Sequence, residues 1–173
     1  MSSIDPAHSA IQFSVRHMMF AKVRGRFGSW NADLSLEPDE LVKSAVEATI
    51  DASSIDTGVA DRDKHLRSAD FLDVENYPQI RFKSTAVEKS GDKYRVKGDL
   101  TIRATTRPVT LEVETLGTGK DPWGNQRMGL AARASINRKD FGLSWNQALE
   151  TGGVLVGEEI QVEIETEVVL SAA

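Results

Sequence analysis

The sequence predicts an all-β fold of about eight antiparallel strands in a single domain, residues 1–173, with one short helix. Apolar and polar residues alternate along most of the chain, which is the two-residue period of a strand. The alternation leaves each strand apolar on one side only, which is typical of antiparallel sheets that face water on the other side. A length of 173 residues suits one ordinary domain, since two halves would each bury too little surface.

Eight segments carry the strand period. In chain order they are residues 11–17, 22–36, 42–50, 80–86, 94–102, 109–113, 128–136 and 160–170. The second of them changes its apolar phase across Gly28–Ser29, which indicates a β-bulge with glycine as its usual host. Because most connections are short, an up-and-down barrel in which the last strand pairs with the first is favoured over a sandwich.

Two long connections interrupt the alternation. The first, residues 52–79, is predicted to hold a short helix at Val59–Arg67 and a second turn at Ala69–Asp73. The second, residues 138–157, contains Gly152–Gly153, a pair typical of a flexible turn.

The side chains on the inward phase differ widely in size. An eight-stranded barrel is either just filled by its side chains or holds one small ligand. The inward positions combine large residues with small ones: Phe13, Phe27, Trp30, Phe82, Ser44, Ala48, Ser84, Gly98, Ala132 and Ala134. Patterning therefore leaves two interpretations open, a packed core in which large and small residues complement each other and a hollow interior.

Composition excludes several classes of protein. Twenty-one Lys and Arg residues against 26 Asp and Glu give a net charge of −5, which argues against sequence-independent binding of nucleic acid. No apolar run approaches the roughly 18 residues of a membrane span. The opening MSSIDPAHSAIQF has no apolar leader. We therefore expect the chain as given to be cytoplasmic, or periplasmic or secreted if its N-terminus was trimmed.

Charged residues form two rows on the outward phases. Solvated cross-strand pairs worth roughly 0.2–1 kcal/mol each are one interpretation, and a basic patch for an anionic headgroup is the other. The two rows are Glu163, Glu165 and Glu167 on the last strand and Arg16, Lys22, Arg24 and Arg26 on the first two. Because the last strand of a closed meander pairs with the first, the acidic row is expected to lie near Arg16.

The sequence contains no recognisable catalytic or metal-binding constellation. There is no cysteine, no nucleophile elbow, no phosphate-binding loop and no zinc-protease motif. His8 and His17 flank one strand but lie nine residues, or roughly 30 Å, apart along it, so they do not share a metal ion. We predict no metal, no cofactor and no enzymatic activity. An enzyme that uses His17 with a nearby carboxylate is the alternative.

Four groups of segments, in order along nearly the whole chain, resemble the YceI-like family of lipid-binding barrels. They are Ile4–Ser9 with Phe13–His17 and Gly25–Phe27, His65–Asp73 with Tyr77–Pro78 and Phe82–Ser84, Gly98–Ile102 with Thr106–Val109, and Asn137–Leu143 with Val156–Ile160. One departure is Arg103-Ala104-Thr105, where the family usually has His-Gly-Val.

The resemblance implies an eight-stranded lipocalin-like barrel that binds and carries, without catalysis, a polyprenyl, quinone-type or similar long-chain amphiphilic lipid in its pore. It also implies a homodimer. The alternatives are an enzyme acting on such a lipid and a packed structural barrel whose surface meets a protein partner.

Residues on the inward phases and in the two long connections are expected to line this pore. They are Ile11, Phe13, Val15, Phe27, Val46, Phe71, Phe82, Leu100, Ile102, Leu130, Phe141 and Trp145. Phe71, Phe141 and Trp145 belong to the connections and are expected to plug one mouth. The candidates for contact with a polar headgroup are His8, Arg16, His17 and Asn146.

Overall fold

The computed structural model describes residues 2–149 and 155–170, and its main element is one antiparallel sheet of ten strands. The strands are β1 Ser3–His17, β2 Ala21–Phe27, β3 Trp30–Ser35, β4 Ala45–Asp51, β5 Ile55–Asp56, β6 Gln79–Ser90, β7 Lys93–Ile102, β8 Thr105–Lys120, β9 Gln126–Asn137 and β10 Val156–Val169. The predicted Gly152–Gly153 turn lies outside the described residues. The all-β prediction is confirmed.

The order of strands in the sheet is β3-β4-β6-β7-β8-β9-β10-β1-β2-β5. The last strand pairs with the first, so that Ile164 faces Ile11. The acidic row nevertheless lies away from Arg16, contrary to expectation. In this register Glu163 lies opposite Gln12, and Ile160 lies opposite Val15. Arg16 follows Val15 and therefore lies beyond the end of the acidic row.

The strand count of eight was wrong, because the predicted strand 22–36 is divided in two and because the predicted connection 52–79 contains the additional short strand β5. Gly28–Ser29 separates β2 from β3, and a 3-10 turn over Ala52–Ser54 separates β4 from β5. The two breaks lie side by side, since Gly28 N–H donates to Ser54 O at 3.2 Å and Asp51 N–H donates to Ser29 O at 2.9 Å. The sheet therefore curls into a barrel-like wall around its apolar face.

The connection between β5 and β6 contains helix α1, Ala60–Arg67, and turns over residues 69–72, close to the prediction. A helix of eight residues depends on tertiary contacts for its stability. Buried Asp63 supplies one such contact, since its Oδ1 accepts hydrogen bonds from the Thr57 N–H at 2.9 Å and from the Thr57 hydroxyl at 2.5 Å. Among the described residues, no helix is long and apolar enough to span a membrane.

The two ends of the curled sheet differ in what covers them. The helical end carries α1, the Met18–Phe20 turn between β1 and β2, and the segment after β9. Arg103 Nη1 ties the β7–β8 turn to Phe71 O at 3.3 Å at this end. The opposite end carries the β6–β7 turn, the β8–β9 turn and residues 36–44. The most buried apolar cluster, which includes Ile55, Leu72 and Leu143, lies towards the helical end.

Candidate functional site

A long apolar cavity of about 340 Å³ lies inside the curled sheet. Forty residues from the strands and from the two long connections line it, and 34 of them are apolar. The six polar lining residues are Gln12, Ser44, Tyr94, Thr115, Arg138 and Thr166. Its volume falls at the lower end of the range of roughly 300–1,000 Å³ for ligand pockets. The interior is therefore incompletely filled and strongly apolar.

The cavity is elongated along the strands. On β10 its wall runs from Ile160 to Thr166, which corresponds to roughly 20 Å at the rise of an extended strand. At the helical end the lining residues Phe71, Leu72 and Leu143 are buried. At the opposite end the lining residue Leu41 is only partly buried and Thr115 is exposed. This gradient of exposure indicates a narrow channel that is closed at the helical end and opens at the opposite end.

Ten of the twelve predicted pore residues lie on the cavity wall. They are Ile11, Phe13, Val15, Phe27, Val46, Phe71, Phe82, Leu100, Ile102 and Leu130. Their contact with a ligand stays a prediction. Phe141 and Trp145 are not on the wall: Phe141 is 2% exposed within the core, and the Trp145 ring packs on His65 and Phe71 with centroid distances of 4.6 and 5.4 Å. Of the three predicted plugging residues, only Phe71 reaches the cavity.

The structure places two headgroup candidates, His8 and Arg16, on the outer surface rather than on the cavity wall. His8 Nδ1 lies 2.9 Å from Asp5 Oδ2. Arg16 Nη1 donates to Phe20 O at 3.3 Å. Arg16 lies outside because it occupies the outward phase of β1. His8 lies where the β1–β10 register shifts between Asp5 and Ala10, so strand alternation does not determine its side.

The other two headgroup candidates also lie off the cavity wall. His17 ends β1, half-buried, opposite Ala21 and Val156. Asn146 holds its loop to the start of β10, since its Nδ2 donates to Val156 O at 2.7 Å and its Oδ1 accepts from Val156 N at 3.0 Å. None of the four candidates is therefore carried into a ligand-binding role.

Sequence reasoning missed Arg138, whose side chain is 2% exposed and lines the closed end of the cavity. Its guanidinium donates to four backbone carbonyls, those of Leu143 at 2.6 Å, Trp145 at 2.9 Å, Val156 at 3.2 Å and Gly157 at 2.8 Å. Burial lowers the pKa of this guanidinium, and the nearby Glu158 carboxylate opposes that effect. The hydrogen bonds fix the segment that closes the channel to the start of β10.

Five charged groups form a cluster on the outside of the opposite end. Arg127 is its centre, with Nη1 2.6 Å from Asp5 Oδ2 and 3.1 Å from Glu167 Oε2, and Nε 2.9 Å from Asp121 Oδ2. The hydrogen bonds from Arg127 and His8 lower the pKa of Asp5 to about 2. The hydrogen bond to Asp5 in turn raises the pKa of His8.

This cluster also contains a geometric candidate for a metal site. One ligand atom from each of Asp5, His8 and Glu167 lies within 4.8 Å of the others. The Arg127 guanidinium already contacts an oxygen of both carboxylates, so the cluster is charge-compensated within the chain. We assign it the role of joining β1, β9 and β10.

Together these features define the chain as an antiparallel, barrel-like protein with one elongated apolar cavity, an architecture that can hold a single ligand. The chain belongs to the YceI-like domain family, whose model matches residues 3–168. The protein YceI of Escherichia coli O157:H7 is 41% identical over 136 residues, which cover 79% of this chain and 71% of that protein.

Solved structures share the fold. BcnA of Burkholderia cenocepacia superposes with a TM-score of 0.83 at 25% identity, covering 95% of this chain and 99% of that one. A polyisoprenoid-binding domain from Saccharophagus degradans, implicated in plant cell wall breakdown, superposes with a TM-score of 0.68 at 14% identity, covering 98% of each chain. At this low identity the second comparison bears on the fold alone.

Proposed function

We propose that this protein is a non-catalytic binding protein that holds one long-chain amphiphilic lipid, of the polyprenyl or quinone type, in the cavity and carries it. The observation that carries the proposal is the cavity itself, about 340 Å³ in volume and apolar at 34 of its 40 lining residues. Membership of the YceI-like family is consistent with it. The polyisoprenoid-binding name of one structural neighbour motivates the choice of an isoprenoid as the first ligand to test.

The energetics of an apolar channel favour a chain-shaped ligand. Each methylene group moved from water into an apolar environment contributes about 0.8 kcal/mol. A channel of roughly 20 Å buries many such groups in a row with few polar contacts. The polar end of the lipid would stay at the open end, near Thr115 and Thr166, where the lining is partly exposed.

The proposed role is binding rather than catalysis because of the residues that meet in the cavity. Among the described residues on its wall, the ionisable side chains are Tyr94 and Arg138. Arg138 is committed to four backbone carbonyls. His17, the general base of the alternative enzyme hypothesis, lies off the wall. The homodimer and the cellular compartment stay predictions.

Organic extraction of freshly purified protein, followed by mass spectrometry, tests the proposal directly. We expect a lipid with a long apolar chain, absent from an unrelated protein of equal concentration taken through the same purification. The delipidated protein is then titrated with geranylgeraniol. Trp30 lies on the cavity wall, whereas Trp123 and Trp145 do not, so binding should change the fluorescence of Trp30.

Replacing Trp30 with Phe supplies the control for this titration. The Trp30→Phe variant should bind geranylgeraniol in calorimetry but lose most of the fluorescence change. An empty protein that also fails to take up geranylgeraniol or a quinone with a long prenyl tail would contradict the proposal. Chemical conversion of the bound lipid during incubation would support the enzyme alternative instead.

A further inference from the structure

Three consecutive apolar residues form the tip of the β1–β2 hairpin at the helical end. Met18 is 39% exposed, Met19 59% and Phe20 75%, and we call these residues the tip turn. A run of consecutive exposed apolar residues is unfavourable in water and usually marks a contact surface. None of the three lies on the cavity wall. The cavity function therefore leaves the tip turn unexplained.

The conformation of the tip turn is fixed by hydrogen bonds. Met18 and Met19 both adopt left-handed backbone conformations, with φ angles of 53° and 70°. Residues with side chains disfavour this region, and such strain persists mainly at functional segments. The Met18 N–H donates to Leu155 O at 2.8 Å, and Arg16 Nη1 donates to Phe20 O at 3.3 Å. The hairpin thus holds its apolar side chains in water at a conformational cost.

Three cations surround the base of the tip turn. Arg16 and Lys22 are register partners next to it, and Arg24 follows on the same outward phase of β2. All three are exposed, and within the part of the chain that the structure describes none has a carboxylate oxygen within 4.0 Å. The nearby Glu158 is bonded to Lys139 at 2.7 Å. The base is therefore locally basic although the whole chain carries a net charge of −5.

We propose that the tip turn docks the protein on anionic phospholipid membranes. Met19 and Phe20 enter the interface, while Arg16, Lys22 and Arg24 contact the phosphate and other anionic groups of the lipids. An apolar projection with cations around its base matches both layers of such a surface. Docking through the tip turn does not depend on what occupies the cavity.

A second copy of the chain fits the tip turn less well than a membrane does. In a two-fold symmetric dimer the same patch of each copy meets its equivalent. A contact through the tip turn would then bring the two sets of Arg16, Lys22 and Arg24 towards each other. Like charges at an interface oppose association. An anionic bilayer instead complements the three cations and accepts the apolar side chains.

The expected sizes of the effects follow from the general energetics of charged and apolar side chains at a membrane surface. A single Lys or Arg near an anionic membrane surface contributes about a fivefold increase in partitioning. Lys22→Gln and Arg24→Gln should each weaken binding about fivefold at low salt. Loss of the Phe20 ring from the interface should weaken it about tenfold or more. Molar salt shortens the screening length to about 3 Å and should remove most of the cationic contribution.

Co-sedimentation with large vesicles tests the proposal. The full chain is mixed with vesicles of phosphatidylcholine alone or of an equimolar mixture with phosphatidylglycerol. We expect binding to the anionic vesicles, weakened about tenfold by Phe20→Ser and similarly by Met19→Ser. The matched control is Trp123→Ser, which removes a side chain 81% exposed at the opposite end and should leave binding unchanged. Unaltered melting temperatures show that the variants are folded.

Three results would overturn the proposal. The first is failure of the unaltered protein to sediment with the anionic vesicles. The second is an equal loss of binding in Trp123→Ser and Phe20→Ser, which would indicate nonspecific adsorption. The third is a dimer in sedimentation velocity without vesicles that Phe20→Ser converts to a monomer, since the tip turn would then be a subunit contact. Extraction of lipid from the cavity is a separate readout, so failure here leaves the cavity function intact.

Discussion

Filling the cavity halfway along its length is the sharpest test of its role. Ala132 lies on the cavity wall in β9, opposite Val113 and Ile164. The substitution Ala132→Phe would place a ring across the channel at this level. A lipid that enters from the opposite end would then be kept out of the deeper part, which on β10 runs from Ile164 to Ile160, roughly 13 Å of extended strand.

The expected loss of affinity follows from the apolar groups that the ring excludes. Excluding even about five of the methylene groups that this stretch would hold, at about 0.8 kcal/mol each, costs about 4 kcal/mol, so the dissociation constant should rise at least about a thousandfold. Calorimetric titration of the delipidated protein with geranylgeraniol measures it. Ala131→Phe is the matched control, because Ala131 is the adjacent residue of β9, faces Glu114 and Glu165, and is not on the cavity wall.

The same variant distinguishes the channel from a packed barrel. In an unfilled cavity of about 340 Å³ the new ring has space, so Ala132→Phe should change the free energy of unfolding by less than about 1 kcal/mol. In a filled core it should destabilise by about 1–3 kcal/mol. Equal affinity for geranylgeraniol in Ala132→Phe and Ala131→Phe, or clear destabilisation by Ala132→Phe alone, would refute the open channel.

The remaining predictions concern stability and assembly. Arg138→Met leaves four carbonyls without their donor and should lower the free energy of unfolding by about 3–5 kcal/mol in urea titration. Arg133→Met, which changes an exposed arginine of the preceding strand β9, should stay within about 0.5 kcal/mol. An equal effect of both variants would remove the structural role of Arg138. The pKa of Asp5 is lowered from 3.8 to about 2, chiefly by its hydrogen bond to Arg127, so its contribution to stability is complete above pH 4 and is lost as the pH falls towards 2. The melting temperature of the unaltered protein should therefore fall more steeply over this interval than that of Asp5→Asn, and parallel curves would contradict the role given to the cluster. Sedimentation velocity tests the predicted homodimer, which a single monomeric species across the concentration range would exclude.

Alternation along the strands identified most of the cavity wall, because in a strand the side on which a residue lies is determined by its immediate neighbours in the sequence. Once Phe13 is taken as inward, Ile11 and Val15 must face the same side, and no long-range information is required. The same rule placed Arg16 outside. The place of His8 off the cavity wall could not be predicted in this way, because the register of β1 shifts between Asp5 and Ala10, where alternation no longer predicts the side on which a residue lies.

The features that sequence reasoning missed depend on contacts between segments distant in the chain. A strand of two residues, β5, is too short to show a period, and it exists because Ile55 pairs with Phe27. Phe141 and Trp145 lie in a connection without periodicity. Their apolar character therefore indicated that they are buried, but it did not indicate which residues they pack against. The sequence did not distinguish Arg138 from the exposed arginines. Its four acceptors are backbone carbonyls, which every residue type provides, so no partner side chain indicates its burial.

The ends of the curled sheet therefore decide how the cavity can work. The apolar cavity wall follows directly from the alternation of apolar and polar residues along the strands. The strands alone, however, would leave the cavity open at both ends. Arg138 ties the segment that carries Leu143 to the start of β10, which closes one end with buried side chains. Because that closure depends on a desolvated cation bound only to carbonyls, it should loosen before the strands separate. Backbone amides near Leu143 should accordingly exchange hydrogen for deuterium faster than those near Ile164, and slower exchange at Leu143 would show that the closed end is the more stable part.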